Sequence, residues 1–375
     1  MTGTAAGPAA WVTQSWGRKV VVAARPPRDR RAGRRALRMV AGAAVAALLV
    51  AGAAVLIGRA GPVQVAADGP VAVWRTSSGL ATSLSFDRPL PVRDLGDAFA
   101  FNGSATPGVG YASLDRSGLI IGVHGHPDRF EGWFAVTRAA YPGAGAYHVL
   151  MAKPPGNVDR GNAQGEAVFA VQTGTTKLNG LINYVVVASN SSRGATTWTI
   201  GYAHGHVADA RLETLAQFPV PATSPVARDI TLTTDGRHHL AVWFGGWLVY
   251  ASSRLHLDIA PPFQPYLEVQ SQRVPYTSHF HDFWVTTGTG LTVSAPSGAS
   301  LRLVAAGGAV LAAGVARHGT ARLALPPPRA RGTATLVVQM GGRRYRLGPF
   351  AYAGGDHYRV TGLASTPGAV GTTGR

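Results

Sequence analysis

The chain has 375 residues, of which 46% are hydrophobic and 14% charged, with 48 glycines, 25 prolines and no cysteine. This composition excludes a fully disordered chain, a long coiled coil and a disulfide framework, and it favours turn-rich β structure. The net charge of +17 comes from the ends: residues 1–59 and residues 290–375 each carry ten basic residues and one acidic residue, whereas the region between them carries 15 basic and 16 acidic residues. Because the central body is neutral, the charge excess predicts no nucleic-acid partner.

The first predicted element is a membrane anchor over residues 39–58, a run of 20 uncharged residues between Arg38 and Arg59. A helix of that length spans about 30 Å, the thickness of the hydrocarbon core of a bilayer. The strongly basic segment 1–38 is of the kind that stays on the cytoplasmic side. We therefore expect a single-pass plasma-membrane protein with a cytoplasmic N-terminus and an extracellular main body. A signal peptide cleaved near residues 65–67 is the alternative.

Beyond the anchor, alternating β-branched and aromatic runs are separated by Gly, Pro, Asn and Asp, which is typical of strands and turns. The nine clearest predicted strands span residues 118–123, 132–137, 166–173, 181–189, 197–204, 240–244, 247–252, 266–271 and 281–286. This density of strands predicts a β-sandwich. Six or seven further short strands predict a small second β-sandwich. The fold class is therefore mainly β, with one N-terminal transmembrane helix.

Composition and pattern divide the chain into six predicted segments. They are a basic cytoplasmic tail (1–38), a transmembrane anchor (39–58), a linker (59–69), the jelly roll (70–288), the small β-sandwich (289–360) and a disordered tail (361–375).

Period-two alternation assigns side chains to the two faces of a strand. In the strand 166–173 the apolar row Ala167, Phe169 and Val171 is expected in the core, and in 266–271 Leu267 and Val269 are expected there. The remaining rows combine aromatic side chains with amides and acids, which suit sugar rings and hydroxyls. The candidate ligand-binding residues are Glu166, Gln172, Asn183, Trp198, Tyr202, His204, Glu268 and Gln270. A solvated sheet face with scattered aromatics is the alternative.

The segment ITLTTDGRHHLAVWFGGWLVYAS at 230–252, with the later PPFQPYLEVQS and HDFWVT, resembles the closing half of concanavalin A-like (laminin G-like) jelly-roll domains. The matching positions are Asp235, Gly236, His239, Ala241 and Trp243, with Asp282 opening the last strand. The resemblance implies two antiparallel sheets, a concave face that binds glycans, and calcium on the rim with Asp282 as a metal ligand. The strands after 289 are similar to immunoglobulin-like or carboxypeptidase-regulatory-like sandwiches, which act as spacers or accessory modules.

Many members of this superfamily are enzymes, and its glucanases carry clustered carboxylates as E-x-D-x-x-E, a string that this sequence lacks. The sequence therefore favours a non-catalytic, lectin-like protein whose partner is a cell-surface glycan or polysaccharide. Two alternatives stay open. One is a glycan hydrolase acting through Glu166 and Glu268, if these meet across adjacent strands; the other is a structural envelope protein with no small ligand.

Three H-x-H pairs suggest metal binding as a further alternative, at His124/His126, 204/206 and 279/281. The segment 118–131 is similar to the first cupin motif, G-x5-H-x-H-x4-E, ending at Glu131. The second cupin motif is only approximated, by a Pro-Gly-His set ending at His148 with one residue too many. We therefore expect these histidines to cap strand ends or line a polar surface.

Overall fold

The computed structural model describes residues 61–84, 99–103, 110–115, 118–127, 131–141, 143, 145–152, 164–173, 181–192, 195–206, 211–221 and 227–363. The predicted cytoplasmic tail and the predicted anchor, residues 1–38 and 39–58, lie outside these described residues. Within the described part of the chain, no helix combines the length and the hydrophobicity needed to span a bilayer.

Most of the described strands form two stacked sheets, which we call the front sheet and the back sheet. The front sheet contains, in spatial order, β12 (Arg211–Pro221), β11 (Ala195–His206), β10 (Leu181–Ser192), β9 (Gln164–Thr173), β16 (Phe263–Gln272), β7 (Glu131–Thr137) and β4 (Phe99–Gly103). The back sheet contains β15 (Trp247–Ser252), β14 (Leu240–Phe244), β13 (Ala227–Thr234), β8 (Ala146–Ala152), β17 (Tyr276–Thr286), β6 (Gly118–Val123) and β5 (Gly110–Asp115), with β3 (Leu80–Leu84) paired to β17.

The core of this first sandwich lies between the two sheets because each strand turns one apolar row inward. Phe169 and Leu267 of the front sheet and Ile121 and Leu232 of the back sheet are fully buried in one cluster. The pairings described within both sheets are antiparallel. Each of the nine predicted strands lies within an observed strand or differs from it by a few terminal residues, so the mainly β, antiparallel prediction is confirmed.

A second sandwich is built from a five-stranded and a four-stranded sheet. The five-stranded sheet contains β1 (Val63–Asp68), β2 (Val71–Ser77), β24 (His357–Thr361), β18 (Gly290–Ser294) and β21 (Thr320–Ala324). The four-stranded sheet contains β20 (Val310–Val315), β19 (Ser300–Ala305), β22 (Arg331–Met340) and β23 (Arg343–Ala353), and a short 3-10 helix at Pro327–Arg329 precedes β22. Its core is formed by aliphatic side chains such as Leu301 and Leu336.

The chain enters the second sandwich before it enters the first, which differs from the division made on the sequence. That division put residues 59–69 in a linker and began the jelly roll at residue 70. In the structure β2 pairs with β24, and its Val71 and Val73 are fully buried in the core of the second sandwich. The reason is that the local sequence of a short apolar strand does not indicate which sheet the strand will join. The first sandwich is therefore an insertion between β2 and β18.

The chain crosses between the sandwiches at Gly79 and again at Thr287, and Asp356 holds this joint. Asp356 is fully buried, and its Oδ1 accepts the backbone N–H of Gly79 at 2.7 Å. Its Oδ2 accepts the N–H of Ala353 at 2.9 Å and the hydroxyl of Tyr358 at 2.5 Å. The N–H of Thr287 donates to the carbonyl of Gly79 at 2.8 Å, so the two crossings are bonded to each other.

Glycines allow the backbones at this joint to touch. A Cβ on Gly354 would lie 1.9 Å from the carbonyl oxygen of Gly288, and one on Gly79 would lie 2.1 Å from the carbonyl oxygen of Gly354. Both distances are far inside van der Waals contact, and the obstacle is backbone. The residues at these positions must therefore lack a side chain for the joint to close.

We expect Asp356→Asn to lower the free energy of unfolding by about 2 to 4 kcal/mol, because one carboxylate oxygen that accepts hydrogen bonds becomes a donor facing a donor. Asp68→Asn is the matched control, since Asp68 is exposed and accepts one backbone N–H, that of Arg346, at 2.8 Å. The control is expected to cost less than about 1 kcal/mol. Urea unfolding followed by circular dichroism measures both, and equal losses would contradict the role assigned to Asp356.

Candidate functional site

Two glutamates and a glutamine lie together on the face of the front sheet that points away from the core. We call Glu166 of β9 and Glu268 and Gln270 of β16 the carboxylate cluster. Glu166 is opposite Gln270 in the strand register, and Glu268 is opposite Val168, so the two glutamates are diagonal neighbours on adjacent strands. The Nε2 of Gln270 donates to Oε2 of Glu166 at 2.5 Å.

Local sequence explains this placement, because in both strands the alternate row is apolar and enters the core. Phe169 of β9 and Leu267 of β16 are buried between the sheets, so their even-numbered neighbours must face outward. The inward rows predicted for these two strands are therefore confirmed. The outward cluster is nevertheless buried, with exposed fractions of 5% for Glu166, 0% for Glu268 and 1% for Gln270.

Two tyrosines adjoin the cluster on the same face. Tyr184 of β10 and Tyr266 of β16 meet edge to face, with ring centroids 5.9 Å apart. Burial, followed by the negative charges of Glu268 and Glu166, raises the pKa of Tyr184 well above its ordinary value. Burial also raises the pKa of Tyr266, with further increases from Tyr184 and the same glutamates. Both phenols therefore stay protonated at neutral pH and keep their hydroxyl donors.

Gln172 lies on this outer face of β9, six residues after Glu166 and opposite Tyr184 in the register. Its Nε2 donates to Oε1 of Gln264 at 3.5 Å, and the Nε2 of Gln264 donates to the carbonyl of Thr137 at 2.6 Å. Half of the eight candidate residues, namely Glu166, Gln172, Glu268 and Gln270, are thus brought onto one face.

The other four candidates face inward, which corrects their expected position on the ligand-binding face. Trp198 is 1% exposed and packs edge to face on Phe244, with ring centroids 5.4 Å apart. Tyr202 is buried in the same core, and His204 stacks on it at 5.0 Å. The reason is that the alternate row of β11 is small, so the large aromatic row fills the space between the sheets.

Asn183 also lies on the inward row, at the end of the sandwich. Its Nδ2 donates to Oδ2 of Asp258 at 3.5 Å, and the hydroxyl of Tyr202 accepts the N–H of Asp258 at 2.8 Å. These residues hold the segment after β15 against the front sheet. The polar groups of these side chains therefore stabilise the packing of this segment, as is common for tyrosine at the border of a core.

Tyr184 was missed as a site residue because its strand gives no usable period. In LINYVVVAS both rows are largely apolar, so alternation does not show which face is outward. Alternation puts Tyr266 on the outward row with Glu268 and Gln270, but no pattern in a single strand places it beside Tyr184 of β10. Only the pairing of β10, β9 and β16 does so.

Asp282, the predicted calcium ligand, lies between the two sandwiches. Arg331 Nη1 is 3.0 Å from its Oδ1, and His148 Nε2 is 3.7 Å from its Oδ2. His148 stacks on Trp284 at 4.5 Å, and its Nδ1 is 3.3 Å from Oδ1 of Asp229. Burial lowers the pKa of His148 to about 4. The negative charge of Asp229 acts in the opposite direction and raises this pKa, whereas the positive charge of Arg331 lowers it further. Calcium stays a prediction, and the contacts found here are those of an interface.

The described residues contain no group of three or more His, Asp or Glu side chains arranged to hold a metal ion. Of the cupin-like set, His124 lies against Tyr111 with ring centroids 5.8 Å apart, and Glu131 is buried on β7. No described cluster thus supports the metal alternative.

No family model matches the chain, and no curated protein matches it. Among solved structures, the chain is similar to LamAcat from Zobellia galactanivorans, with 10% identity and a TM-score of 0.39 over 55% of this chain and 97% of that one. It is similar to a protein of unknown function with a galectin-like fold from Bacillus subtilis, with 11% identity and a TM-score of 0.37 over 57% and 98% of the two chains. It is also similar to the carbohydrate recognition domain of Emp46p, with 12% identity and a TM-score of 0.40 over 55% and 96%.

These structures are jelly-roll sandwich proteins. In this chain, the strand order, the antiparallel pairing and the core between the front and back sheets form a two-sheet antiparallel β-sandwich, the architecture that the sequence resemblance implies.

The inward position of Trp198 predicts a stability role. We expect Trp198→Phe to lower the free energy of unfolding by about 1 to 3 kcal/mol, because the smaller ring leaves a cavity. Trp247→Phe is the control, since Trp247 is 79% exposed, and it should change the same quantity by less than about 0.5 kcal/mol. Chemical denaturation of both variants measures these changes. A Trp198 variant as stable as the control would contradict the buried position of Trp198.

Proposed function

We propose that the chain is a membrane-anchored, lectin-like protein of the cell surface that binds glycans on the outer face of its front sheet. The observation that carries this proposal is the carboxylate cluster, two acids and an amide buried together on a sheet face that does not belong to the sandwich core. Burying acids is costly, and such groups are concentrated at functional sites.

The chemistry of the cluster suits a polyhydroxylated ligand. Carboxylates accept hydrogen bonds from sugar hydroxyls, and Gln270 can both donate and accept. Tyr184 and Tyr266 adjoin the acids and keep protonated hydroxyls as donors. A sugar satisfies both kinds of group at once, whereas a purely apolar ligand would leave the acids without bonds from the ligand.

Binding of the purified full chain to a glycan array, with affinities from calorimetry, tests the proposal. Glu268→Gln should lower the affinity for the recognised glycan by about tenfold or more, because hydrogen bonds to a charged acceptor are lost. The control is Glu213→Gln, which removes an exposed carboxylate of β12 and should leave the affinity unchanged. Absence of binding to any glycan, with no product released, would favour a structural envelope protein instead.

A second candidate function is glycan hydrolysis, favoured by the pairing of Glu166 and Glu268. Diagonal cross-strand neighbours have backbones about 7 to 8 Å apart, a spacing compatible with the carboxyl separation of about 5 to 5.5 Å that retaining glycosidases use. Their surroundings differ, because Glu166 accepts a bond from Gln270 whereas Glu268 lies between Val168 and Phe134 in the register. Differing surroundings are how paired acids acquire separate roles.

Release of reducing sugar from the recognised glycan separates the two functions. A lectin binds without release. A hydrolase releases product, and both Glu166→Gln and Glu268→Gln abolish release while binding is retained.

The membrane location is proposed from the sequence alone. It is supported by the uncharged run 39–58 and the basic segment before it. Display of the two sandwiches outside the cell would give the front sheet access to surface glycans.

We expect the full chain to sediment with membranes and to resist extraction by high salt, because an apolar helix of this length is held by the bilayer rather than by charge. Protease added to intact cells should digest the sandwiches. A variant with Arg inserted at the centre of residues 39–58 is the control and should lose membrane retention. A soluble, shortened product in the medium would point to a cleaved signal peptide.

A further inference from the structure

A cavity of about 880 Å³ lies between the two sandwiches and takes no part in the proposed glycan site. Its volume is within the range of about 300 to 1,000 Å³ found for small-molecule sites. One wall belongs to the turn between β13 and β14, and the other to the outward face of the five-stranded sheet. The crossing Thr287–Gly290 forms its floor.

The wall on the second sandwich is a row of three polar side chains on adjacent strands. Arg322 of β21 is opposite Thr292 of β18, and Thr292 is opposite His357 of β24. Their sequence neighbours Leu323, Leu291 and Tyr358 are buried in the core, so this row faces outward. With strands about 4.8 Å apart, Arg322 and His357 flank Thr292 over a span of about 10 Å.

The opposite wall presents a histidine whose orientation is fixed by its own turn. Oδ1 of Asp235 accepts the backbone N–H groups of Arg237, His238 and His239, each at 2.8 Å. Oδ2 of Asp235 lies 2.6 Å from Nδ1 of His239. Thr234 adds a bond from its hydroxyl to the carbonyl of His239 at 2.9 Å. The turn is therefore rigid before any ligand binds.

Asp235 stays ionised at neutral pH, so its negative charge favours placing an anionic group of a ligand on the opposite wall, beside Arg322. Partial burial opposes its ionisation, but the bonds from His239, Arg237 and His238 outweigh burial and hold the pKa of Asp235 well below its usual range. Each carboxylate oxygen is already bonded to donors of its own turn. The groups of the cavity wall that can bind a ligand include Nε2 of His239, the guanidinium of Arg322, the imidazole of His357 and the hydroxyl of Thr292.

We propose that this cavity binds an acidic sugar unit, one that carries a carboxylate. The guanidinium of Arg322 provides the paired donors that a carboxylate accepts. Nε2 of His239, with Nδ1 held by Asp235, accepts a bond from a sugar hydroxyl, and the threonines both donate and accept. A ligand with hydroxyl donors as well as a negative group uses both walls, whereas a bare oxyanion uses one.

Calorimetric titration of the full chain in detergent, with glucuronic acid, glucose and inorganic sulfate as probes, tests this site. Glucuronic acid should bind saturably, and glucose and sulfate should bind at least about tenfold more weakly, because each lacks half of the interactions. Glucose binding as tightly as glucuronic acid would overturn the proposal. Sulfate binding as tightly would overturn it as well, since the cavity would then select only charge.

Matched variants assign the binding to this cavity. Arg322→Gln should lower the affinity for glucuronic acid by about tenfold or more. Arg302→Gln removes an exposed arginine from the other sheet of the same sandwich and should change the affinity by less than about twofold. Equal losses in the two variants would indicate a general charge effect and would refute the site.

The inference is independent of the proposed glycan site, and one further variant separates them. Glu268→Gln changes the front sheet, so it should leave the Arg322-dependent binding of glucuronic acid unchanged. Loss of glucuronic acid binding in Glu268→Gln would indicate that glucuronic acid binds on the front sheet. That result would overturn the cavity proposal, whatever the outcome for the lectin function.

Discussion

The buried carboxylate of Asp356 is the constraint on which the arrangement of the two sandwiches depends. The carboxylate accepts bonds from Gly79 in the first crossing and from Ala353 and Tyr358 of the second sandwich, and the backbone carbonyl of Asp356 accepts the N–H of Thr292 beyond the second crossing. A buried acid is tolerated only where donors surround it, and here the donors come from the first crossing and from the second sandwich. Asp356 therefore joins the start of the inserted sandwich to the sheet that the chain re-enters at its end.

Several features of the molecule follow from a tight joint. The interface that includes His148, Trp284 and Arg331 forms because the back sheet is held against the start of β22. The cavity beside Thr287 keeps two walls from different sandwiches at a fixed spacing. A flexible linker would give neither, because a site shared by two bodies needs both bodies to be held.

The two faces of the front sheet contain similar residue types that have different roles. Inward, Trp198 and Tyr202 fill volume between the sheets, and their polar tips bond at the border of the core. Outward, Glu166, Glu268 and Gln270 lie buried beside Tyr184 and Tyr266, which belong to a smaller apolar cluster on this face. Burying acids is costly, and the proposed function rests on the two acids buried on this outward face.

The sequence by itself determined the strands and the faces of those with clean alternation, because a period of two depends only on neighbours in the chain. It placed Glu166 and Glu268 outward for that reason. It could not place Trp198, since an aromatic ring with a polar tip suits either face, nor show that β1 and β2 join β24, since strand partners are far apart in sequence. The diagonal placement of the two glutamates, the joint at Asp356 and the cavity between the sandwiches were decided by tertiary structure, because each needs long-range pairings that no local pattern encodes.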